Sequence, residues 1–132
     1  MAMIYERIYN KLSKIVNLEE LKKKMYIKKT SAGMMDLSFD FLYNETKDSF
    51  RIAIAHNYVQ NGDLMSDPDM EIRISPASKT AEALTYQQDN LGVYHQVYQE
   101  VEKTIYVNPE LKKELNGFLD KWLTTILKSN YN

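Results

Sequence analysis

Residues 37–58 read LSFDFLYNETKDSFRIAIAHNY, and the pattern of this stretch indicates the type of fold. Large apolar side chains occupy every second position on both sides of a polar segment, Asn44 to Ser49. Such alternation is typical of strands with one buried face, and the polar segment has the composition of a hairpin loop. The stretch therefore predicts two antiparallel strands joined by a hairpin.

The same alternation continues downstream. Met70, Ile72 and Ile74 alternate with polar residues, and after the turn residues 76–79 the segment 80–87 is predicted to complete a second hairpin. Residues 93–97 predict a fifth strand, beyond which Glu100 to Lys103 would continue the strand, bulge or form a helical turn. The connection 60–69 is predicted to be the longest irregular loop, a place where functional residues tend to lie.

Both ends of the chain have helical periodicity. Apolar residues recur at steps of three and four from Met3 to Val16, and Asn17 is predicted to cap a second short helix whose lysines extend through Lys28 and Lys29. Asn108-Pro109-Glu110 supplies a cap, a proline at the first helical position and an acid in the first turn. The sequence therefore predicts a C-terminal helix from about Pro109 to Ser129.

These elements predict an α+β fold: an antiparallel sheet of four or five strands in a meander, packed on one face by N-terminal and C-terminal helices. The whole chain, 1–132, is interpreted as a single domain. It would comprise a helical head at 1–30, the antiparallel sheet at 35–107 and the C-terminal helix at 108–130.

Composition excludes several classes of chemistry. The 132 residues include no cysteine, so disulfides, thiolate metal sites and cysteine nucleophiles are excluded. No catalytic triad, nucleotide-binding glycine motif or calcium-loop spacing occurs, and we predict no catalytic residue, no metal and no cofactor. The sequence has no signal-peptide pattern and no span of apolar residues long enough for a membrane, so a soluble, cytoplasmic protein is expected.

The net charge of −1 conceals a strong segregation of charge. Residues 1–30 hold eight basic and three acidic side chains, whereas residues 31–102 hold four basic and twelve acidic ones. A basic face could meet an acidic partner, and its candidate residues are Lys22, Lys23 and Lys24. Nucleic acid is the alternative partner for this cluster, although the sequence lacks a base-reading motif.

Ten tyrosines are the remaining compositional feature, and those in the predicted sheet suit an interface. Tyr94 and Tyr98 are candidate partner-binding residues. His56 and His95 fall on different strands that could approach each other, which gives a second alternative, a ligand or enzymatic pocket. The leading hypothesis is a non-enzymatic protein-binding or regulatory module, and an uncovered sheet face or edge would also favour a homodimer.

Two segments carry a family resemblance. Residues 68–74, PDMEIRI, followed by TAEA at 80–83, and the terminal NGFLDKWL at 116–123 resemble the YqiB-like bacterial family of unknown function. The resemblance implies a similar order of elements, with Met70, Ile72 and Ile74 on a buried strand face. Because that family has no established activity, the resemblance implies no catalytic residue.

Overall fold

Two helices begin the chain, nine strands follow, and a long helix ends it in the computed structural model, which describes residues 3–132. The helices are α1 (Ile4–Ile15), α2 (Leu18–Lys24) and α3 (Pro109–Lys128). The strands are β1 (Tyr26–Lys29), β2 (Asp36–Thr46), β3 (Ser49–Gln60), β4 (Asp63–Ser75), β5 (Thr80–Ala83), β6 (Thr85–Gln88), β7 (Val93–Gln96), β8 (Tyr98–Val101) and β9 (Thr104–Val107). A short 3-10 turn at Asp89–Leu91 separates β6 from β7.

The main sheet is antiparallel and has seven strands, so the prediction of four or five was too low. Six strands follow the order β1-β2-β3-β4-β6-β7, and β5 pairs with one half of the long strand β4 while β6 pairs with the other. The remaining two strands, β8 and β9, form a separate two-stranded sheet. The α+β class and the antiparallel sheet are as predicted.

Strand β1 corrects the predicted helical head at 1–30. Met25 adopts a left-handed backbone conformation, with φ of 70°, and ends α2 at Lys24. The chain then pairs with β2, so that Lys28 lies opposite Ser38 and Lys29 opposite Leu37. These two lysines therefore belong to an edge strand of the main sheet and not to the second helix.

The connection 60–69 is also not a loop. Strands β3 and β4 extend toward each other and meet at a tight turn, where Gln60 pairs with Asp63 across Asn61 and Gly62. Both turn residues have positive φ, 53° for Asn61 and 85° for Gly62, as the favoured two-residue hairpin turns require. The Asn-Gly pair was a hairpin signal that the longer polar stretch around it obscured.

One cluster of buried residues joins the helices to one face of the main sheet. The fully buried side chains include Leu12 of α1, Leu119 and Leu123 of α3, and Ile52 and Ile72 of the central strands. Helix α1 packs beside α3, and the Lys11 ammonium lies 2.6 Å from the Asp120 carboxylate between them. The alternating residues that face the helices are thus the apolar set that the sequence pattern picked out.

Helix α3 begins as the sequence predicts. The Asn108 side chain accepts a hydrogen bond of 3.1 Å from the Leu111 N–H, and Pro109 occupies the first helical turn. Asn116, although polar, is buried on this helix and accepts a hydrogen bond of 2.8 Å from the backbone N–H of Ala83 in β5. Among residues 3–132, no helix is long and apolar enough to cross a membrane.

Candidate functional site

Two of the three lysines at the end of α2 contact other side chains of the same chain. The Lys22 ammonium lies 4.9 Å from the centre of the Phe50 ring, and the Lys24 ammonium is 2.7 Å from the Glu20 carboxylate. Lys23 is exposed on the same helix. The neighbouring Lys28 pairs with Asp36 at 3.0 Å. Binding of an acidic protein or of nucleic acid through these lysines stays a prediction.

His56 lies inside the protein, between strand β3 and the C-terminal segment. Its imidazole is 8% exposed and stands edge-on to the Trp122 ring at a centroid distance of 5.1 Å. Its Nε2 is 3.2 Å from the Tyr131 hydroxyl, which donates a hydrogen bond of 2.6 Å to the Met35 carbonyl. Burial lowers the pKa of the His56 imidazole, which favours its neutral form. The contacts of His56 with Trp122 and Tyr131 connect the C-terminal segment to strand β3.

The structure does not bring His95 to His56. His95 lies on β7, opposite Tyr86 of β6, and β7 is three strands away from β3 in the main sheet. At about 4.8 Å per strand spacing, that separation is roughly 14 Å. His95 is exposed, whereas His56 is closed in by Trp122 and Tyr131. A pocket that uses both histidines is therefore not formed by this arrangement.

The two candidate tyrosines have different environments. Tyr94 is 53% exposed on β7. Tyr98 donates a hydrogen bond to the Glu82 carboxylate, and its ring lies 5.5 Å from both the Arg73 guanidinium and the Lys112 ammonium. Tyr98 is thus held in a network of charges at the base of the β8 strand, and its role in binding a partner stays a prediction.

The sheet face turned away from the helices carries that network of charges. Glu45 accepts hydrogen bonds from Arg51 at 2.8 Å and from Arg73 at 2.6 Å. Hydrogen bonding to Arg73 is the main reason why the pKa of Glu45 is lowered. Arg51 also approaches Glu71, at 3.5 Å, and Arg73 approaches Glu82, at 3.4 Å. The network satisfies its charges internally and forms a polar outer surface on the central strands.

Asp69, on the same sheet face, forms no ion pair with a lysine or arginine among residues 3–132. Burial raises its pKa to about 6, with further contributions from the negative charges of Asp89, Glu71 and Asp40. In the part of the chain that the structure describes, no group of His, Cys, Asp or Glu has a geometry suited to a metal ion. The raised pKa marks an unfavourable charge within the fold, and we assign no ligand to it.

An exposed apolar surface lies on the hairpin formed by β8 and β9, which we call the β8–β9 hairpin (residues 98–107). All four residues of β9 are exposed, with Ile105 at 69%, Tyr106 at 58% and Val107 at 49%. Val101 of β8 is 52% exposed. Strand β9, TIYV, contains neither a charge nor a proline, the usual devices that protect an edge strand from pairing.

The turn of this hairpin is not optimised for stability in isolation. Glu102 and Lys103 occupy it with positive φ, 51° and 67°. Asparagine and glycine are the residues that such turns favour, because other side chains are strained there. A two-stranded hairpin is at best marginally stable in water without further packing. The hairpin thus combines a strained turn, exposed apolar side chains and an unprotected edge.

The register shows which backbone groups of β9 face outward. Val101 and Thr104 flank the two-residue turn and form a hydrogen-bonded pair, and such pairs alternate along the ladder with non-hydrogen-bonded ones. At the far end, the Asn108 N–H donates to the Val97 carbonyl at 2.9 Å, in phase with that alternation. The N–H and C=O groups of Ile105 and Val107 therefore point to the open edge. The sequence-based site candidates do not include Ile105 or Val107, although the β-branched and aromatic residues of TIYV indicate a strand.

A family profile matches residues 4–131 of the chain, and its description is Domain of unknown function (DUF6908). The chain belongs to the DUF6908 family. No curated protein and no solved structure matches it. The match spans the helices, the main sheet and the β8–β9 hairpin alike. The resemblance to the YqiB-like bacterial family stays a prediction, because the DUF6908 match does not test it.

Proposed function

We propose that this DUF6908 protein is a non-enzymatic protein-binding module whose docking element is the open edge of β9. The observation that carries the proposal is the set of outward N–H and C=O groups of Ile105 and Val107 beside exposed apolar side chains. An extended segment of a protein could add to this edge as a third strand. Main-chain hydrogen bonds would give affinity, and alternate side chains would give specificity.

The energetics favour such an addition. Burying apolar surface contributes roughly 25 cal/mol per Å², so covering three exposed side chains of β9 would offset much of the cost of ordering a peptide. A third strand would also move the hairpin beyond the marginal two-stranded state. The partner would therefore stabilise the docking element that it binds.

The open face of the main sheet gives weaker support for a docking role. Its carboxylates and guanidiniums are paired with each other, as Glu45 is with Arg51 and Arg73. A partner would have to break these pairs and leave charges desolvated, which is costly. On strand β9 (Thr104–Val107), by contrast, a partner covers uncharged side chains and open backbone groups.

A selection of displayed random peptides on the immobilised protein tests the proposal. We expect enrichment of extended segments with apolar residues at alternate positions. Ile105→Lys should weaken a selected peptide at least about tenfold, since it removes an apolar contact and places a charge at the edge. Leu64→Lys is the matched control, because Leu64 is 71% exposed on the β3–β4 hairpin and lies outside the proposed site.

Two results would contradict the proposal. One is the absence of any enriched peptide. The other is a selected peptide whose affinity falls equally for the two lysine variants, because that would place binding elsewhere or show a nonspecific effect of charge.

A further inference from the structure

The outward groups of β9 are arranged symmetrically about one residue. Ile105 and Val107 each present one N–H and one C=O to the open edge, and Tyr106 lies between them with its backbone groups directed to β8. A strand with this arrangement is complementary to a second copy of itself running in the opposite direction. Ile105 of each copy then lies opposite Val107 of the other, and the two Tyr106 residues meet at the dyad.

We infer that the strand that pairs with the open edge of β9 is β9 of a second copy of this chain, in the register centred on Tyr106. This inference rests on the proposed function. Ile105 and Val107 of opposite copies form hydrogen-bonded pairs and exchange both of their backbone hydrogen bonds. The same interface is used by both copies, as twofold symmetry requires. The product is one four-stranded antiparallel sheet built from two β8–β9 hairpins.

The side chains fit this partner. Ile105 and Val107 project from the same face of β9, so pairing two copies places four β-branched side chains on one face, as two cross-strand pairs on either side of the dyad. The absence of charge from residues 104–107 means that self-pairing places no like charges opposite each other within the strand. Four strands with an apolar cluster on one face also meet the condition for stability that an isolated hairpin fails.

Mass measurement with paired charge variants tests both the partner and the register. By sedimentation equilibrium, the wild-type chain of 15.5 kDa should give twice its monomer mass at high concentration. Ile105→Lys combined with Val107→Glu should retain the dimer, because each lysine faces a glutamate of the other copy. Ile105→Lys combined with Val107→Lys alters the same positions but opposes like charges, and we expect its dimerisation to be at least about tenfold weaker.

The absence of cysteine from the chain allows a sharper test of geometry. In the proposed register the Cα atoms at position 106 are about 4.5 Å apart, within the range that a disulfide spans. Tyr106→Cys should therefore form a covalent dimer on oxidation. Thr104→Cys is the matched control on the same exposed strand, since its two copies would be roughly 13 Å apart, beyond disulfide reach.

The outcomes separate this inference from the proposed function. A monomeric wild-type chain, equal masses for the two double variants, or equal crosslinking of Tyr106→Cys and Thr104→Cys would overturn the second-copy inference. If the chain is monomeric while β9-dependent peptides are still selected, the docking edge stands and its partner is a different protein. If neither a dimer nor a peptide is found, both proposals fail.

Discussion

The main sheet and the β8–β9 hairpin contain the same kinds of residues in different surroundings. Ile52 in β3 and Ile105 in β9 are both isoleucines in antiparallel strands, yet Ile52 is 0% exposed and Ile105 is 69% exposed. Helices cover the apolar face of the main sheet, whereas β9 is uncovered on the described chain. Strand-forming residues thus indicate a strand, but the surrounding elements determine whether its apolar side chains are buried in the core or exposed to a partner.

The largest expected difference in the free energy of unfolding is between substitutions of these two isoleucines. Ile52→Ala should lower the free energy of unfolding by about 2–5 kcal/mol, because it removes buried methyl groups and leaves a cavity in a packed core. Ile105→Ala should change it by less than about 0.5 kcal/mol, as surface substitutions usually do. Urea denaturation followed by circular dichroism measures both values. Low chain concentration is needed so that association adds no stability.

A comparable loss of unfolding free energy for Ile52→Ala and Ile105→Ala would contradict this expectation, since it would show that the β8–β9 hairpin is part of the cooperative core. The conservative change Ile52→Val serves as a control on the buried side. It removes one methylene group and should cost about 0.5–1.5 kcal/mol.

The sequence pattern was sufficient to predict a strand wherever the alternation was long and helices cover one face of the strand. Residues 37–58 form the predicted strands because most apolar residues of the alternation, such as Phe39 and Ile52, are buried in the cluster that joins the sheet to the helices. Strand β1 was not predicted, because its four residues follow three lysines and are extended only through pairing with β2. The turn at Glu102 and Lys103 lacks the glycine or asparagine that marks a hairpin, so the sequence is equally compatible with a continued strand, a bulge or a helical turn there.

The candidate site was harder to predict than the fold. Sequence chemistry selected Lys22, His56 and Tyr98, but the structure shows each of them in contact with its own chain, at Phe50, Trp122 and Glu82 respectively. Exposure depends on which elements pack against a strand, and a pattern of residue types does not contain that information. The sequence-based candidates therefore do not include Ile105, whose exposure depends on the uncovered edge of β9.

A change of intermediate size in the free energy of unfolding is expected for substitution of Asp69, which lies on the polar face of the main sheet. Asp69→Asn should raise the free energy of unfolding by about 1–2 kcal/mol at pH 7, because it removes a negative charge that the fold disfavours. Glu100→Gln is the matched change on the β8–β9 hairpin. Glu100 is exposed there, and we expect a change within about 0.5 kcal/mol.

The pH dependence of the Asp69 effect has a defined sign. Its pKa is raised from 3.8 to about 6, so the folded state binds a proton that the unfolded state releases between these values. The penalty is therefore present above about pH 6 and disappears as the pH falls toward 3.8. The advantage of Asp69→Asn, measured by urea denaturation in a pH series, should shrink over that window. An advantage independent of pH would show that charge is not its cause.

The smallest expected change in the free energy of unfolding concerns two lysines, Lys79 and Lys103, which have the same strained backbone conformation in different turns. Lys79, between β4 and β5 of the main sheet, has φ of 54°, and Lys103 of the β8–β9 hairpin has φ of 67°. Glycine adopts such values without strain, so Lys79→Gly should raise the free energy of global unfolding by about 0.5–1 kcal/mol. Lys103→Gly relieves the same strain, but in a hairpin that we expect to open independently of the core. Its gain should therefore appear as slower amide hydrogen exchange within residues 98–107 and not in the global transition. Equal gains in global stability from the two glycines would mean that the β8–β9 hairpin unfolds together with the main sheet, and that its exposed edge is held rigidly in place before any partner arrives.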